Sequence, residues 1–281
     1  MICGTSSGHL LNNELIKMSA EGNILWTKKI SEDVNFKQVL PISDGYILSG
    51  IKQDEARKFL FVSVKTDLSG NVIWSQIYQD KVRLENSGNT IQDGNAFIAA
   101  GLIRAHSNVC SICDSVSIIK FNASGTVLKR TNILALGGTF PVSAVYVSKM
   151  SNGEFVVAAS NTKALYTFSD EFKPLLRTNV IYDITHLNTT AAGEVVLLQQ
   201  GYDNGLRVMT TGLDHNGVSK WQYLVDGTQF LSNGFSCCAN SWAIKTYPLK
   251  KGGSIFIADE VGDNSSHRVI VTKIGNGGGL M

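Results

Sequence analysis

The sequence predicts an all-β fold assembled from repeated four-stranded antiparallel units. Three observations carry this reading. A glycine followed by an apolar run and a tryptophan returns along the chain, as "GNILW" (Gly22–Trp26), "GNVIW" (Gly70–Trp74) and "GVSKW" (Gly217–Trp221). Short runs rich in Val, Ile, Phe and Tyr lie between these stretches, broken by glycine-containing turns, which is the pattern of strands and hairpins. No capped segment with a helical hydrophobic period interrupts them.

The repeat extends upstream of each glycine. "LIKMSAEGNILW" (Leu15–Trp26) aligns with "VSVKTDLSGNVIW" (Val62–Trp74) and "SIIKFNASGTVLK" (Ser117–Lys129). In all three a lysine stands five residues before the glycine: Lys17 and Gly22, Lys65 and Gly70, Lys120 and Gly125. Three looser copies follow. "LYTFSDEFKPLL" has Phe172 at the glycine position and Leu176 at the tryptophan position, "VMTTGLDHNGVSKW" keeps Gly217 and Trp221, and "VIVTKIGNGGGLM" keeps Lys273 and Gly278. The markers are 45 to 61 residues apart, and a period of that size signals a repeat architecture.

A second motif alternates with the first: strand, turn, strand, as in "QVLPISDGYILSG" (Gln38–Gly50). Two-residue turns are expected at Asp44-Gly45, Asp93-Gly94, Asn152-Gly153, Ala192-Gly193 and Gly252-Gly253, because these dipeptides suit tight hairpins. One full unit reads "KQVLPIS", "YILSG", "FLFVSVKTD" and "NVIWSQIY" as strands one to four. Four strands at this period describe a propeller blade. The prediction is a single β-propeller domain over 1–281 of about six blades, with repeat units 1–34, 35–84, 85–138, 139–182, 183–228 and 229–281. Seven blades is the alternative for a longer parent chain. Gly4 aligns with Gly50 and Gly278 with Gly22, so the first unit should lack strand one and the last most of strand four. The expectation is a trimmed chain whose parent begins earlier, with an export signal. Trp26, Trp74 and Trp221 are expected to wedge neighbouring blades together, each burying ~150–250 Å². Lys129 and Leu176 take that place in two units.

The repeat resembles the bacterial PQQ-like, quinoprotein-type propeller repeat, and more closely the "DGGYIIAG … LIKLDSSGNVLW" repeats of secreted bacterial propellers. The likeness runs through nearly the whole chain. It implies an exported protein, extracellular, at the cell surface or in the periplasm, and a lipoprotein anchor is among the expectations. It leaves function open, because propellers host many unrelated activities.

Bulk properties narrow the class. The chain is 43% hydrophobic and 17% charged, which is enough apolar residue for an ample core. Net charge is +2 with no basic block, so nucleic acid is not an expected partner. No apolar run approaches the length of a spanning helix. No hydrolase, P-loop or dinucleotide fingerprint is present.

The connections are unequal. The one–two and three–four turns are near minimal, whereas the two–three and four–one connections carry "TSSGHLLNN", "KQDEARK", "LIRAHSNVCSICDSVS", "GTQFLSNGFSCCANS" and "EVGDNSSHR". Long loops on a rigid scaffold are where binding residues concentrate. The candidate ligand-binding set on that face is Arg57, Arg104, His106, Tyr202, Asp203, Arg207, Asp263 and His267, a polar and aromatic mixture suited to a glycan, a peptide or a protein surface. No catalytic residue and no metal ligand is assigned. The reading favours a non-enzymatic binding module. The competing class is an enzyme acting on a carbohydrate, or a PQQ-dependent oxidoreductase.

Cys110 and Cys113 form a C-x-x-C in one long loop, and Cys237 and Cys238 are adjacent in another. Local disulfides, free thiols and a four-thiolate zinc site remain the alternatives for them. The quinoprotein resemblance implies one more role, an adjacent-cysteine ring beneath PQQ. The Ca²⁺ ligands and cofactor clamps of such enzymes are not placed in this sequence, so no cofactor is predicted.

Overall fold

A computed structural model describes residues 2–5, 13–19, 21–30, 34–53, 59–78, 84–104, 114–133, 145–159, 162–190, 193–201, 207–225, 242–248, 254–261 and 267–274. Among them are 22 strands and no helix. The strands form six antiparallel sheets, each built from consecutive strands. Sheet 1 holds β1 (Ile2–Thr5), β2 (Asn13–Met18) and β3 (Ile24–Ile30). Sheet 2 holds β4 (Asn35–Ile42), β5 (Gly45–Gln53), β6 (Phe59–Thr66) and β7 (Val72–Tyr78). Sheet 3 holds β8 (Leu84–Asp93), β9 (Ala96–Arg104), β10 (Asp114–Asn122) and β11 (Val127–Ile133). Sheet 4 holds β12 (Val145–Lys149), β13 (Phe155–Ala159), β14 (Ala164–Phe168) and β15 (Pro174–Asn179). Sheet 5 holds β16 (Asp183–Thr189), β17 (Val195–Gly201), β18 (Arg207–Leu213) and β19 (Ser219–Val225). Sheet 6 holds β20 (Trp242–Pro248), β21 (Ser254–Val261) and β22 (His267–Ile274). The three strands of sheet 1 correspond to strands two to four of the repeat, and those of sheet 6 to strands one to three. The chain divides into two compact units, Met1–Leu136 with Ser143–Val145, and Gly137–Val142 with Tyr146–Met281.

In the first unit, sheet 2 is covered on both faces. Alternation along the strand sends neighbouring side chains to opposite sides. Tyr46 and Leu48 of β5, with Val62 and Val64 of β6, join Leu15, Ile30, Val34 and Phe36 on the sheet 1 side. Ile47 and Phe61 join Phe97, Ala99, Ile119 and Phe121 on the sheet 3 side. Both faces being buried explains why β5 is apolar without alternation, and why every residue from Gly45 to Ile51 is buried. Each such aliphatic or aromatic side chain contributes ~1.5–3 kcal/mol of hydrophobic stabilisation. The fourth strands behave differently: β7 keeps only Tyr78 fully buried. In the second unit the same arrangement recurs between sheets 4 and 5, where Met150, Val156, Ala158 and Leu165 meet Ile184, Leu187, Val195, Leu197 and Leu213.

The tryptophans lie where fourth strands meet the next sheet. Trp26 stands edge-on to Tyr46 of sheet 2, with ring centroids 6.3 Å apart. A Cβ on Gly70, in the three–four turn of sheet 2, would lie 2.9 Å from the Trp26 ring. Trp74 stands edge-on to Phe121 of sheet 3, and its indole N–H donates to the Ala123 carbonyl at 2.9 Å. Trp221 is placed differently. It lies over Gly212, its own cross-strand partner, where a Cβ would come within 2.2 Å of the indole. Lysine or threonine occupies that partner position in the other described copies: Lys17, Lys65, Lys120 and Thr167. Only glycine lets the indole fold down onto its own sheet.

The turns correct part of the sequence reading. Asn152-Gly153 and Ala192-Gly193 are not two-residue turns. They belong to the same longer turn as the three–four hairpins. Its first residue donates to the carbonyl four positions on and accepts from the N–H three positions on. This holds for turns starting at Ser19, Asp67, Asn122, Met150, Ser169, Thr190 and Asp214. The residue three positions on has positive φ: Gly22, Gly70, Gly125, Gly153, Phe172, Gly193 and Gly217. The remaining two hairpins do have two-residue loops, but shifted. Ile42 pairs with Gly45, so the loop is Ser43-Asp44, and Asp93 pairs with Ala96, so the loop is Gly94-Asn95. Gly45 is needed for closeness, since a Cβ there would lie 1.8 Å from the Thr66 carbonyl oxygen. The Gly252-Gly253 turn lies outside the described residues.

Candidate functional site

Antiparallel order puts the one–two and three–four turns at one end of each sheet. The two–three connections leave the other end. The two ends are built from different chemistry.

The turn end is closed on itself. Asp67, Asn122 and Asp214 each accept two backbone N–H groups with one carboxylate or amide oxygen, from Ser69 and Asn71, Ser124 and Thr126, and Asn216 and Val218. Ser19, Ser169 and Thr190 do the same once with a hydroxyl. Lysines of third strands reach back to the one–two turns. Lys65 Nζ donates to Asp44 Oδ2 at 2.8 Å, and Lys120 Nζ to Asp93 Oδ2 at 2.7 Å. The Lys65 hydrogen bond holds the Asp44 carboxyl below the usual carboxylate range. The repeated lysine of the sequence therefore ties a hairpin turn to the strand beside it.

In sequence, every candidate binding residue falls within or next to a segment that joins strands two and three. Arg57 lies in the 54–58 connection of sheet 2. Arg104 is the last residue of β9, paired in register with Asp114, and His106 follows it in 105–113. Arg207 is the first residue of β18, opposite Gly201, and Tyr202 and Asp203 lie in the 202–206 connection before it. His267 opens β22, opposite Val261, after the 262–266 connection that holds Asp263. All eight thus lie in, or border, a two–three connection. Arg57, His106, Tyr202, Asp203 and Asp263 fall outside the described residues, as do the side chains of Arg104, Arg207 and His267. Cys110, Cys113, Cys237 and Cys238 also fall outside them.

Buried and half-buried polar side chains that the sequence reading does not single out brace neighbouring strands. In the first unit the Gln38 amide spans to the first strand of sheet 3. Its Nε2 donates to the Thr90 carbonyl at 2.9 Å, and its Oε1 accepts the Thr90 N–H. The Thr90 and Ser49 hydroxyls bond at 2.6 Å. In the second unit, fully buried Gln199 donates to Thr211 Oγ1 at 2.7 Å and accepts the N–H of Tyr182 at 3.4 Å. It joins the base of β17 to the link between sheets 4 and 5. Thr162 donates to the Ala159 carbonyl at 2.7 Å and accepts the Ile184 N–H on its own backbone carbonyl. A glutamine inside the apolar run "VVLLQQ" is the signal that marks Gln199 in the sequence.

Tyr146 and His186 form an aromatic pair across sheets 4 and 5. They stand on the first strands of sheets 4 and 5, ring centroids 5.1 Å apart and edge to face. Burial pushes the Tyr146 phenol up to about 12, so it stays neutral and able to donate across the ordinary pH range. The Ser148 and Thr189 hydroxyls link the same two strands at 2.8 Å. Among the described residues no group of three His, Cys, Asp or Glu side chains is placed to hold a metal ion. Also among them, no helix is long and apolar enough to cross a membrane.

Known structures share this arrangement of sheets. A Bacteroides caccae protein of unknown function superposes with a TM-score of 0.59 at 12% identity, over 99% of this chain and 90% of that one. The chain has a β-propeller fold. Virginiamycin B lyase from Staphylococcus aureus gives a TM-score of 0.51 at 6% identity, over 89% of this chain and 84% of the lyase. Kluyveromyces lactis Hsv2 gives 0.50 at 11%, over 98% and 82%. At these identities the likeness is one of fold. No protein-family model and no curated protein matches the sequence.

Proposed function

We propose that this propeller is a non-enzymatic binding module of an exported bacterial protein, six-bladed and anchored at the cell surface or held in the periplasm. Its ligand is a glycan, a peptide or a protein, bound at the end of the sheets that carries the two–three and four–one connections. One observation carries this reading. Seven hairpins at the turn end repeat one hydrogen-bonding scheme, while every charged or aromatic candidate stands in or beside a two–three connection at the other end. A scaffold that holds one end constant and varies the other suits recognition. Kinship with exported propellers of the quinoprotein-type repeat is part of the proposal, supported by the Lys-to-Gly spacing of "LIKMSAEGNILW" and "VSVKTDLSGNVIW".

The test is a glycan and peptide array probed with the purified chain, followed by variants at both ends. Arg104→Ala and Arg207→Ala should weaken capture by about 1–3 kcal/mol each where the guanidinium meets a charged or polar group. Asp67→Asn and Asn122→Asp, at the turn end, should leave capture unchanged. Loss of capture from the turn-end variants alone would reverse the assignment.

A further inference from the structure

We propose that Asn216 is a site of spontaneous deamidation, and that Asn152, in the same kind of turn, is protected from it. Both precede a glycine, Gly217 and Gly153, and these are the two Asn–Gly steps within the described residues. A glycine has no Cβ to obstruct attack by its backbone nitrogen on the preceding side chain. The two turns share their backbone. Gly217 N–H donates to the Asp214 carbonyl at 3.0 Å, and Gly153 N–H to the Met150 carbonyl at 3.1 Å. Both glycines have positive φ, 75° and 90°. The nucleophile is therefore held alike, and backbone effects cancel in the comparison.

The side chains differ. Both ends of the Asn152 amide are engaged by one residue. Its Oδ1 accepts the Glu154 N–H at 3.1 Å, and its Nδ2 donates to Glu154 Oε2 at 2.8 Å. To react, its Cγ must swing toward the Gly153 nitrogen and break both bonds. Asn216 is exposed, as Asn152 is, but among the described residues only its backbone N–H is engaged, by Asp214 Oδ1 at 2.9 Å. Its amide turns without breaking a comparable clamp.

The step balances with water alone. The Gly217 nitrogen, having lost its proton to solvent, attacks Asn216 Cγ and forms a C–N bond. Nδ2 leaves as ammonia, giving a five-membered succinimide. Water opens that ring at either carbonyl, yielding aspartate or isoaspartate. Isoaspartate routes the main chain through Cβ and lengthens a turn that has no slack. A Cβ on Gly217 would lie 2.2 Å from Thr178 Oγ1 of sheet 4. The product strains the seam between sheets 4 and 5 as well as the β18–β19 hairpin.

The experiment is timed incubation of the whole folded chain at mildly alkaline pH, followed by peptide mapping with mass spectrometry and isoaspartate detection. Asn216 should convert several-fold faster than Asn152. Glu154→Ala should raise the Asn152 rate toward that of Asn216, while Asn216→Gln removes the fast phase. In denaturant the two steps should react at similar rates, because the clamp is gone. Equal rates in the folded chain, or an Asn152 rate unmoved by Glu154→Ala, would overturn the proposal.

Discussion

The indole N–H of Trp74, on the fourth strand of sheet 2, donates to the carbonyl of Ala123 in the three–four turn of sheet 3 at 2.9 Å. That bond sits on a seam with a common feature where sheet 1 meets 2, sheet 2 meets 3 and sheet 4 meets 5. The residue two positions after the tryptophan site lies where a Cβ on the next turn's glycine would fall: Lys28 at Gly70, Gln76 at Gly125, Thr178 at Gly217. Trp74→Phe keeps a ring against Phe121 but removes the donor, and should cost about 1 kcal/mol. Trp26 makes no such bond among the described residues, so Trp26→Phe should cost less. Urea unfolding of the two variants, at unchanged slope, makes the comparison.

Lys65 is buried, and its ammonium finds Asp44, an exposed residue, at the turn. Removing the acid strands a buried charge, whereas removing both charges does not. Asp44→Ala should therefore destabilise more than the double change Asp44→Ala with Lys65→Met. The pH dependence follows the same pair. The Asp44 pKa is lowered in the folded chain, so its contribution is full above the ordinary aspartate pKa. It is lost as pH falls through the lowered value. Asp44→Asn should flatten that part of the acid limb of a stability profile.

Phe172 stands with φ of 60° where other turns have glycine, and its ring packs edge-on to Phe155 at 5.1 Å. Left-handed backbone costs a non-glycine residue about 1–2 kcal/mol. Loss of a buried phenyl costs about 3–5 kcal/mol. Phe172→Gly should thus destabilise by about 1–4 kcal/mol net, in thermal or urea unfolding.

Tyr146 titrates in the alkaline range. Its folded pKa, about 12, lies above the unfolded value near 10. The neutral phenol's contribution is full below about 10 and is lost as pH rises through about 12, a span of roughly 2–3 kcal/mol. Tyr146→Phe should remove one late-ionising phenol from the ultraviolet titration and shallow the alkaline decline.

The repeat was legible because it is written in residues whose chemistry is local. Gly22, Gly70, Gly125 and Gly217 mark positive φ, and Phe172 falls into line with them by spacing alone. Turn type was less legible. A dipeptide such as Asn152-Gly153 announces that a glycine is needed, but not which turn position it fills. A carboxylate, amide or hydroxyl three residues before the positive-φ position marks the longer turn at Asp67, Asn122, Ser169 and Thr190, but Met150 holds that place in the Asn152-Gly153 turn, which carries no such marker. The departure of Trp221 was also hidden, because it depends on a cross-strand glycine, Gly212, nine positions away in sequence. Gln38 reaching Thr90 depends on the neighbouring sheet, which no local pattern encodes. The candidate binding residues were legible only as loop composition, which places them at one end without naming their ligand.

A hydrogen-exchange footprint of the chain with a captured glycan, peptide or protein decides which end of the sheets binds. Protection of 54–58, 105–113, 202–206 and 262–266, with the turns 67–71, 123–126 and 214–218 unchanged, is expected if recognition uses the two–three connections. Protection confined to those turns would move recognition to the end that the repeat holds constant.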